Sequence, residues 1–219
     1  MERVIEKTED GSVTLFVPEL NEHYHSTKGA RTESEHIFIR MGLQSSTAIT
    51  PRVLEIGLGT GLNALLTLEE ADKSHRPIHY TGIELYPLAW EMIEPLGYHP
   101  SSSPTFKAIH TSPWGEEEAI TPYFALRKIK ADVNEWLPRY TGPCFDLVYF
   151  DAFAPEKQPE MWSQELFDRL YVLLNKGGML TTYCAKGIVR RMLQTAGFIV
   201  ERLPGPPGGK REILRAIRP

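Results

Sequence analysis

The sequence is poor in cysteine and has no long apolar run. Its two cysteines, Cys144 and Cys184, stand in apolar stretches typical of strands and lack the spacing of metal ligands. No stretch approaches the roughly 20 apolar residues of a membrane-spanning helix, and the mixed charges of residues 1–7 differ from those of a secretory signal. These absences disfavour disulfide-stapled secreted folds, zinc modules and membrane proteins. They predict a cytosolic protein with buried thiols.

The histidines do not suggest a metal site either. His23, His25 and His36 are close in sequence, but they lack the spacing of a helical ligand pair and have no cysteine nearby. We therefore expect that the protein binds no metal ion.

Charge is distributed unevenly along the chain. The whole sequence carries a net charge of −4, whereas residues 176–219 hold nine Lys or Arg and two Glu, a net charge of +7. A basic region of this kind indicates a surface that can meet phosphates. The same side chains can instead pair with acidic residues elsewhere, and charge alone does not decide between the two interpretations.

Strand-like and helix-like segments alternate along most of the chain. Apolar runs predict seven core strands, at residues 51–56, 78–84, 124–131, 145–150, 179–184, 199–203 and 212–217. Helical patterns occur at residues 36–41, 62–71, 87–96, 163–174 and 187–196. A short extra strand is predicted at 13–17, and the Ser-, Pro- and Gly-rich residues 98–122 predict an irregular insertion. The alternation predicts an α/β fold, a mostly parallel seven-stranded sheet with helices on both faces.

Length and composition fit one domain. The chain has 219 residues, of which 42% are hydrophobic and 24% charged, which is ordinary for a globular protein with one core. No repeat or linker divides it. We expect a single domain over residues 1–219, with a Rossmann-like core over 51–219 and an N-terminal extension over 1–50.

A glycine-rich turn, in the segment VLEIGLGTGLN at residues 53–63, follows the first core strand. Gly57, Gly59 and Gly61 permit a tight turn and close approach of the backbone to a ligand, where an open parallel sheet binds nucleotides. The acidic Glu55 precedes the glycines, and a helix follows them. This form resembles the first motif of S-adenosylmethionine-dependent methyltransferases, whereas a dinucleotide fingerprint would have glycine at position 62. We therefore expect S-adenosylmethionine as the cofactor.

Three acidic residues follow core strands at the same edge of the sheet. Glu84 ends the second strand, where a carboxylate can accept hydrogen bonds from ribose hydroxyls. Asp132 follows the next strand, and it can contact an adenine amino group or simply begin a turn. Asp151 follows an apolar strand and precedes Ala-Phe-Ala-Pro, a setting that raises a carboxyl pKa. A carboxylate there can orient an amine nucleophile, take its proton or offset its developing positive charge.

The segment from Asp151 to Trp162, DAFAPEKQPEMW, resembles the signature of MnmC-type tRNA methyltransferase domains. Three more regions are similar to that family: residues 23–39, the glycine-rich turn with Asn63, and the late segments TYCA, VRR, AGF and GKRE. These matches keep the family's order from about residue 16 to residue 214. A match in four parts is more specific than any single motif.

The resemblance implies a reaction and a partner. Family members transfer a methyl group from S-adenosylmethionine to the 5-aminomethyl group of the tRNA wobble (2-thio)uridine, giving the 5-methylaminomethyl form. Many carry a fused FAD-dependent oxidase that prepares this amine. Because this chain ends at Pro219, we expect a methyltransferase without the oxidase. It would bind the tRNA anticodon stem-loop and depend on a separate enzyme for the aminomethyl precursor.

The resemblance also implies roles for single residues, with Asp151 as the catalytic residue and residues 1–50 as a lid. The cofactor-binding set is Glu55, Gly57, Gly59, Gly61, Asn63, Glu84, Asp132, Tyr24 and Ser26. The substrate-binding set is Glu33, Phe153, Trp162, Lys157, Lys186, Arg190, Arg191, Lys210 and Arg211. In the second set, aromatic rings would stack on the extruded base and basic side chains would meet phosphates. Tyr24 and Phe153 can instead be packing residues, and this interpretation is favoured for Trp162.

Other functions are compatible with parts of the pattern. A small-molecule amine methyltransferase or an aminopropyltransferase would use the same glycine turn with Glu84 and Asp151, although the basic C-terminal region disfavours a small substrate. A non-catalytic RNA-binding or cofactor-sensing module needs no polar residue at position 151, so Asp151 disfavours it. An NAD-dependent oxidoreductase is disfavoured by Leu62.

Overall fold

The computed structural model describes residues 2–98 and 104–219. The strands are β1 Val4–Lys7, β2 Val13–Val17, β3 Glu22–His23, β4 Arg52–Ile56, β5 Ile78–Glu84, β6 Glu117–Thr121, β7 Phe124–Lys130, β8 Phe145–Phe150, β9 Leu174–Thr182, β10 Ile199–Pro204 and β11 Glu212–Ile217. The α-helices are α1 Ala30–Ser34, α2 Leu62–Ser74, α3 Trp90–Ile93, α4 Pro104–Thr111, α5 Val133–Trp136, α6 Gln164–Leu173 and α7 Gly187–Thr195. A π-helical segment, Glu35–Arg40, continues α1, and 3₁₀ turns lie at Leu43–Ser45, Glu94–Leu96, Leu137–Arg139 and Pro159–Met161. Over these described ranges, no helix has the length and apolar character needed to cross a membrane.

An eight-stranded sheet forms the centre of the molecule, in the order β10-β11-β9-β8-β4-β5-β7-β6. Strands β7, β5, β4, β8 and β9 pair in parallel. Strand β11 lies antiparallel between β9 and β10, so the chain closes with the predicted strand pair. The mostly parallel Rossmann-like class is therefore confirmed. The sheet has one strand more than the predicted seven, because β6 adds to its outer edge antiparallel to β7.

The extra strand belongs to the region predicted as an irregular insertion. That prediction is wrong for much of residues 104–122, which form α4 and β6; residues 99–103 lie outside the described part of the chain. Phe106 and Ile109, three positions apart on α4, are both buried. Their burial holds the helix against the core although Ser, Pro and Gly around it are typical of loops. The predicted helix at 87–96 is also shorter, since its helical turns begin at Trp90.

The central strands are buried on both faces of the sheet. Val53 of β4 and Leu147 of β8 face a core that includes α2, whereas Leu54 and Val148 face a second core that includes α6 and α7. All four side chains are completely buried. A strand covered on both faces needs an apolar residue at nearly every position, which explains the continuous apolar runs in the sequence.

The N-terminal extension packs on the first of these cores. Its strands form a separate antiparallel sheet, β1-β2-β3. Leu15 of β2, together with Ile37 and Phe38 of the π-helical segment, joins the core on the α2 side. The Phe38 ring lies 5.0 Å from the ring of Tyr149 in β8. These contacts anchor the extension, so that residues 22–33 reach the carboxyl edge of the large sheet.

Arg76, just after α2, holds the connection between the extension and β4. Its guanidinium donates hydrogen bonds to the backbone oxygens of Leu43, Ser46 and Ala48, at distances between 2.5 and 3.2 Å. Carbonyl oxygens in this connection would otherwise lose their partners on leaving water. One planar, five-donor side chain therefore organises a connection whose only regular element in the described residues is the 3₁₀ turn Leu43–Ser45.

We expect Arg76→Lys to lower the free energy of unfolding by about 2 kcal/mol, because a lysine ammonium cannot reach three carbonyl oxygens in the same fork geometry. Urea denaturation of the variant and the parent protein measures this difference. Arg139→Lys, at an exposed position, is the matched control and should change stability by less than about 0.5 kcal/mol. Equal stabilities of the Arg76 variant and the parent would contradict the role given to Arg76.

Candidate active site

The turn after β4 forms an open backbone cradle. Gly57 and Gly59 have φ angles of +88° and +50°, which residues with a Cβ rarely adopt. A Cβ on Gly57 would lie 2.7 Å from the backbone oxygen of Asp151. A Cβ on Gly59 would lie 3.1 Å from the ring of Tyr24. Both glycines are therefore required by the local geometry, as the glycine motif predicted.

A cavity of about 780 Å³ opens at the carboxyl ends of β4, β5 and β8. The glycine turn forms its floor, and the N-terminal extension and the turn between β10 and β11 contribute walls. The predicted site residues that line it are Tyr24, Ser26, Glu33, Gly57, Gly59, Asn63, Glu84, Asp132, Asp151, Phe153, Lys186, Lys210 and Arg211. The fold thus brings together side chains from both ends of the chain.

Asp151 lies at the point where β8 ends. Its amide donates to the backbone oxygen of Ile56, 3.0 Å away, and so continues the pairing of β8 with β4. The side-chain nitrogen of Asn63 donates to Asp151 Oδ2 at 2.8 Å. Burial raises the pKa of Asp151 to about 7, against the lowering effect of the Asn63 hydrogen bond. The carboxyl group therefore exchanges its proton near neutral pH, as a general base must.

Lys210 and Glu33 form an ion pair in the wall of the cavity. Lys210 Nζ lies 3.0 Å from Glu33 Oε1, and the Glu33 side chain is only 11% exposed. The same ammonium lies 4.0 Å from the centre of the Tyr183 ring, a cation–π contact. Glu33 raises the pKa of Asp151 and Lys210 lowers it, although both effects are smaller than that of burial. Two carboxyl groups and one ammonium group therefore share this side of the cavity.

Other residues of the N-terminal extension also line the cavity. Tyr24 packs edge-on against Phe153, with ring centres 5.1 Å apart, and its hydroxyl accepts a hydrogen bond from Arg3 Nε at 3.1 Å. The amide of Ser26 donates to Glu33 Oε2 at 3.0 Å. Tyr24 and Phe153 thus both pack together and line the cavity. The extension therefore contributes residues to the cavity at the carboxyl edge of the sheet.

Glu84 and Asp132 lie where a nucleotide-like ligand would need acceptors. Glu84 accepts hydrogen bonds from the amides of Gly59 and Tyr86, each at 2.9 Å. Each carboxylate oxygen keeps further acceptor capacity toward a hydroxyl group. Asp132 accepts from the amide of Asn134 at 2.8 Å and caps α5, so it starts a turn as well as lining the cavity. The glycine cradle and these two acids fit the ribose and adenine of S-adenosylmethionine.

Two residues predicted to bind the cofactor lie outside the cavity lining. Glu55 is completely buried beneath it, where its Oε1 accepts a hydrogen bond from Asn63 at 2.8 Å. Gly61 faces α4 instead, and a Cβ on it would lie 2.8 Å from the imidazole of His110. A packing constraint from α4, rather than a ligand, therefore requires the third glycine.

Trp162 is a core residue, which was the favoured alternative. It is 4% exposed, and its indole nitrogen donates to the backbone oxygen of Phe153 at 2.8 Å. Its ring packs against Phe150 and Tyr183, with ring centres 4.9 and 6.1 Å apart. The role of a base-stacking surface is wrong for Trp162, because its ring is covered. Its packing and hydrogen bond hold the loop that presents Phe153.

The basic C-terminal region is partly neutralised by ion pairs. Four of its nine basic side chains contact carboxylates: Lys186 pairs with Glu156, Arg202 with Glu212, Lys210 with Glu33, and Arg215 with Glu201. Lys210 lines the cavity, although its side chain is 43% exposed. Arg191 and Arg211 are exposed, and Arg211 also lies at the cavity rim. Lys157, Arg190 and Arg191 do not line the cavity.

Two side chains of the site were not predicted from the sequence. Tyr183, directly after β9, donates from its hydroxyl to the oxygen of Ala152 at 2.8 Å and carries the Lys210 contact. His25 Nε2 lies 2.7 Å from Thr60 Oγ1 in the glycine turn. Burial lowers the pKa of His25 to about 4, so the ring is neutral at physiological pH. Within residues 2–98 and 104–219, no three His, Cys, Asp or Glu side chains are placed to hold a metal ion.

Known proteins share this fold and sequence. A crystal structure of MNMC2 from Aquifex aeolicus superposes with a TM-score of 0.79 at 24% identity, covering 99% of this chain and 70% of that one. Spermidine synthase from Thermotoga maritima superposes with a TM-score of 0.63 at 14% identity, over 99% of this chain and 69% of that one. These structural matches support the fold.

Two sequence relatives of this chain have the same name. The tRNA 5-methylaminomethyl-2-thiouridine biosynthesis bifunctional protein MnmC of Cupriavidus metallidurans is 32% identical over 244 residues, covering 99% of this chain and 34% of the relative. The protein of the same name from Magnetococcus marinus is 29% identical over 93% of this chain and 32% of its own length. The chain thus spans about a third of the length of these relatives.

A family model described as S-adenosyl-L-methionine-dependent methyltransferase matches residues 105–219, slightly more than half of the chain. This stretch includes Asp151 and the strands that complete the sheet. The glycine turn and Glu84 lie before the matched residues. The chain therefore belongs to this family of S-adenosylmethionine-dependent methyltransferases.

Proposed function

We propose that this protein methylates the 5-aminomethyl group of the wobble (2-thio)uridine in tRNA, giving 5-methylaminomethyl-(2-thio)uridine. The relatives named for 5-methylaminomethyl-2-thiouridine biosynthesis support this substrate, because the aligned region covers nearly the whole of this chain. The observation that carries the proposal is the position of Asp151. It lies in the cavity beside the Glu33–Lys210 pair with a pKa of about 7.

The site's own residues supply base chemistry. S-adenosylmethionine, when bound, provides a methyl group on a positively charged sulfur that an amine nitrogen can attack. An amine arrives largely protonated at neutral pH and must lose a proton before its lone pair can react. The Asp151 carboxylate accepts that proton and becomes a neutral acid, which leaves the lone pair of the amine free to react. Asn63 holds the carboxylate by its Oδ2 atom.

The charges around Asp151 favour a cationic group. Glu33 and Asp151 are both carboxylic acids at the cavity wall, and Lys210 shows how an ammonium fits between Glu33 and the Tyr183 ring. An aminomethyl group is chemically similar to the end of a lysine side chain. We propose that Glu33 contacts the substrate amine and that Phe153 stacks on the base at the cavity mouth.

The proposal also assigns separate roles to the N-terminal extension and the rest of the chain. Residues 1–50 would act as a lid over a Rossmann-like core formed by residues 51–219, within one domain. Arg191 and Arg211, both exposed, would meet phosphates of the anticodon stem-loop. A separate enzyme would supply the aminomethyl precursor.

Methyl transfer from radiolabelled S-adenosylmethionine to bulk tRNA tests the function directly. The tRNA comes from cells that lack the activity, and the product nucleosides are separated after digestion. Label in 5-methylaminomethyluridine derivatives is the expected result. Label in a small amine but not in tRNA would replace the proposal with a small-molecule methyltransferase. Cofactor binding without any transfer would favour the non-catalytic alternative.

We expect Asp151→Asn to lower kcat by about 100-fold or more, because an amide cannot take the proton of the amine. The dissociation constant of S-adenosylmethionine should stay within about threefold, since Asn keeps the shape of the side chain. Single-turnover assays and calorimetric titration of the cofactor measure the two quantities. Asp168→Asn, on the exposed face of α6, is the control. Unchanged turnover in the Asp151 variant would remove the base from the mechanism.

The same variant should be more stable than the parent protein at pH 8. The pKa of Asp151 rises from 3.8 to about 7 on folding, so ionisation costs the folded state stability as pH rises from about 4 to 7. We expect a gain of up to about 4 kcal/mol at pH 8 that disappears below about pH 3, where the carboxyl group is protonated in both the folded and the unfolded state. Urea denaturation at several pH values measures it. A gain independent of pH would contradict the raised pKa.

Replacing Arg191 and Arg211 together by Ala should weaken tRNA binding most at low salt. Losing two phosphate contacts should reduce the slope of log affinity against log salt by about 1–2. Filter binding at several potassium chloride concentrations measures the slope. Lys73→Ala changes an exposed lysine in the last turn of α2, and this control should leave the slope unchanged. A loss of equal size at every salt concentration would show that the two arginines do not act on phosphates.

A further inference from the structure

Glu55 occupies an unusual place for a carboxyl group. It lies in the middle of the sheet, on β4, and is completely buried. It does not line the cavity, so it is separated from any ligand there. A buried acid of this kind is costly unless its hydrogen bonds serve the fold or the site. Its bonded neighbour, Asn63, indicates which purpose it serves.

The side-chain nitrogen of Asn63 joins two acids. It donates to Glu55 Oε1 and to Asp151 Oδ2, with 2.8 Å to each. An amide nitrogen carries two hydrogens, so both are used. The three residues come from three elements: β4, the first turn of α2 and the end of β8. Asn63 is 2% exposed, and its backbone oxygen accepts from Thr67 at 2.7 Å, which fixes the residue further.

We propose that Glu55 is a positioning residue that fixes the orientation of the Asn63 amide, so that its nitrogen and not its oxygen faces Asp151. A flipped amide would direct its oxygen at two carboxyl oxygens and lose both hydrogen bonds. In the observed orientation both amide hydrogens have acceptors, whereas Asn63 Oδ1 is buried without a partner among the described residues. Asp151 is then held by Oδ2, which leaves its other oxygen available to a substrate. This inference rests on the proposed role of Asp151 in methyl transfer.

The pKa shifts of Glu55 and Asp151 are consistent with a positioning role for Glu55 and a proton-accepting role for Asp151. Burial raises the pKa of Glu55 well above its ordinary value, and the nearby charges of Asp151 and Glu84 raise it too. Tyr80 of β5 acts in the other direction on the Glu55 pKa, although neither its hydroxyl nor Glu55 Oε2 has a hydrogen-bond partner among the described residues. Asp151, with a pKa of about 7, is the acid on the amide that changes its protonation near neutral pH.

Asp151 itself faces charges from several elements. Glu33 of α1 raises its pKa, and Lys210 of the turn between β10 and β11 lowers it. The Tyr183 hydroxyl, after β9, is un-ionised at physiological pH because burial raises its pKa. None of these groups touches Glu55 or Asn63 through the hydrogen bonds that the structure describes. Changes at Glu55 should therefore reach Asp151 through the Asn63 amide.

Three variants separate an acceptor oxygen from a carboxyl charge. Glu55→Gln keeps the acceptor, Glu55→Leu removes it, and Asn63→Ala removes the donor. Carbon-13 NMR of protein labelled at aspartate carboxyl groups gives the Asp151 pKa, with Asp151→Asn identifying its signal. We expect Glu55→Leu and Asn63→Ala to raise that pKa by about one to two units, as loss of a hydrogen bond to a charged group should. Glu55→Gln should change it by less than about 0.5 units.

Kinetics of the same variants give a second readout. Glu55→Leu should lower kcat at neutral pH at least tenfold and leave KM for S-adenosylmethionine nearly unchanged. An unshifted Asp151 pKa in Glu55→Leu, with only a lower Tm, would make Glu55 a packing residue and overturn the proposal. A higher KM for S-adenosylmethionine in Glu55→Leu, without a shift of the Asp151 pKa, would show that Glu55 acts in cofactor binding instead. A shift in Glu55→Gln equal to that in Glu55→Leu would show that the acceptor oxygen is irrelevant.

The NMR titration does not depend on the substrate. If the parent protein fails to methylate tRNA while Glu55→Leu and Asn63→Ala still shift the Asp151 pKa, the proposed substrate is wrong and the positioning role stands. If tRNA is methylated but the Asp151 pKa is unchanged in these variants, the proposed substrate stands and the positioning role of Glu55 is wrong. Should Glu55→Leu fail to fold, Asn63→Ala with Glu55→Gln still tests whether the amide link sets the Asp151 pKa.

Discussion

The parallel pairing of β4 with β5 and β8 is the constraint on which the site depends. Because these neighbouring strands run the same way, their carboxyl ends meet at one edge. Gly57, Glu84 and Asp151 each stand at or just after a strand end, so one set of backbone hydrogen bonds places all three. The amide of Asp151 even continues the pairing with Ile56 beyond the strand. Backbone register therefore supplies much of the site's geometry before any side chain packs.

Burial of Asp151 at this edge destabilises its ionised form, and the raised pKa that results suits the proposed proton transfer. The apolar faces of the central strands exclude water, and this raises the pKa of Asp151 to about 7. A carboxylate with an ordinary pKa would be a weak base toward an amine. Asn63 limits the rise with one hydrogen bond. Burial and hydrogen bonding thus act in opposite directions, and their balance sets a pKa near neutral pH, where the proposed base would have to work.

Sequence patterns predicted the core well because local and global preferences agree there. Val53, Leu54 and Ile56 of β4 are apolar because both faces of the strand are covered, and Gly57 and Gly59 after it are needed by the turn. Prediction failed where one long-range contact overrides composition. Phe106 and Ile109 hold a helix in a stretch typical of loops. Tyr183 could not be assigned either, because its partner Lys210 arrives from another strand connection.

The two interpretations of the basic C-terminal region turn out to apply to different residues. Arg202 and Arg215 pair with Glu212 and Glu201 across β10 and β11, so they stabilise the strand pair that closes the sheet. Lys210 turns inward to Glu33 and links that strand pair to the N-terminal extension. Part of the positive charge of this region therefore forms ion pairs, and the Lys210–Glu33 pair joins the two ends of the chain at the cavity. Arg191 and Arg211 are exposed, with Arg211 also lining the cavity, and these two side chains are available to attract a polyanion.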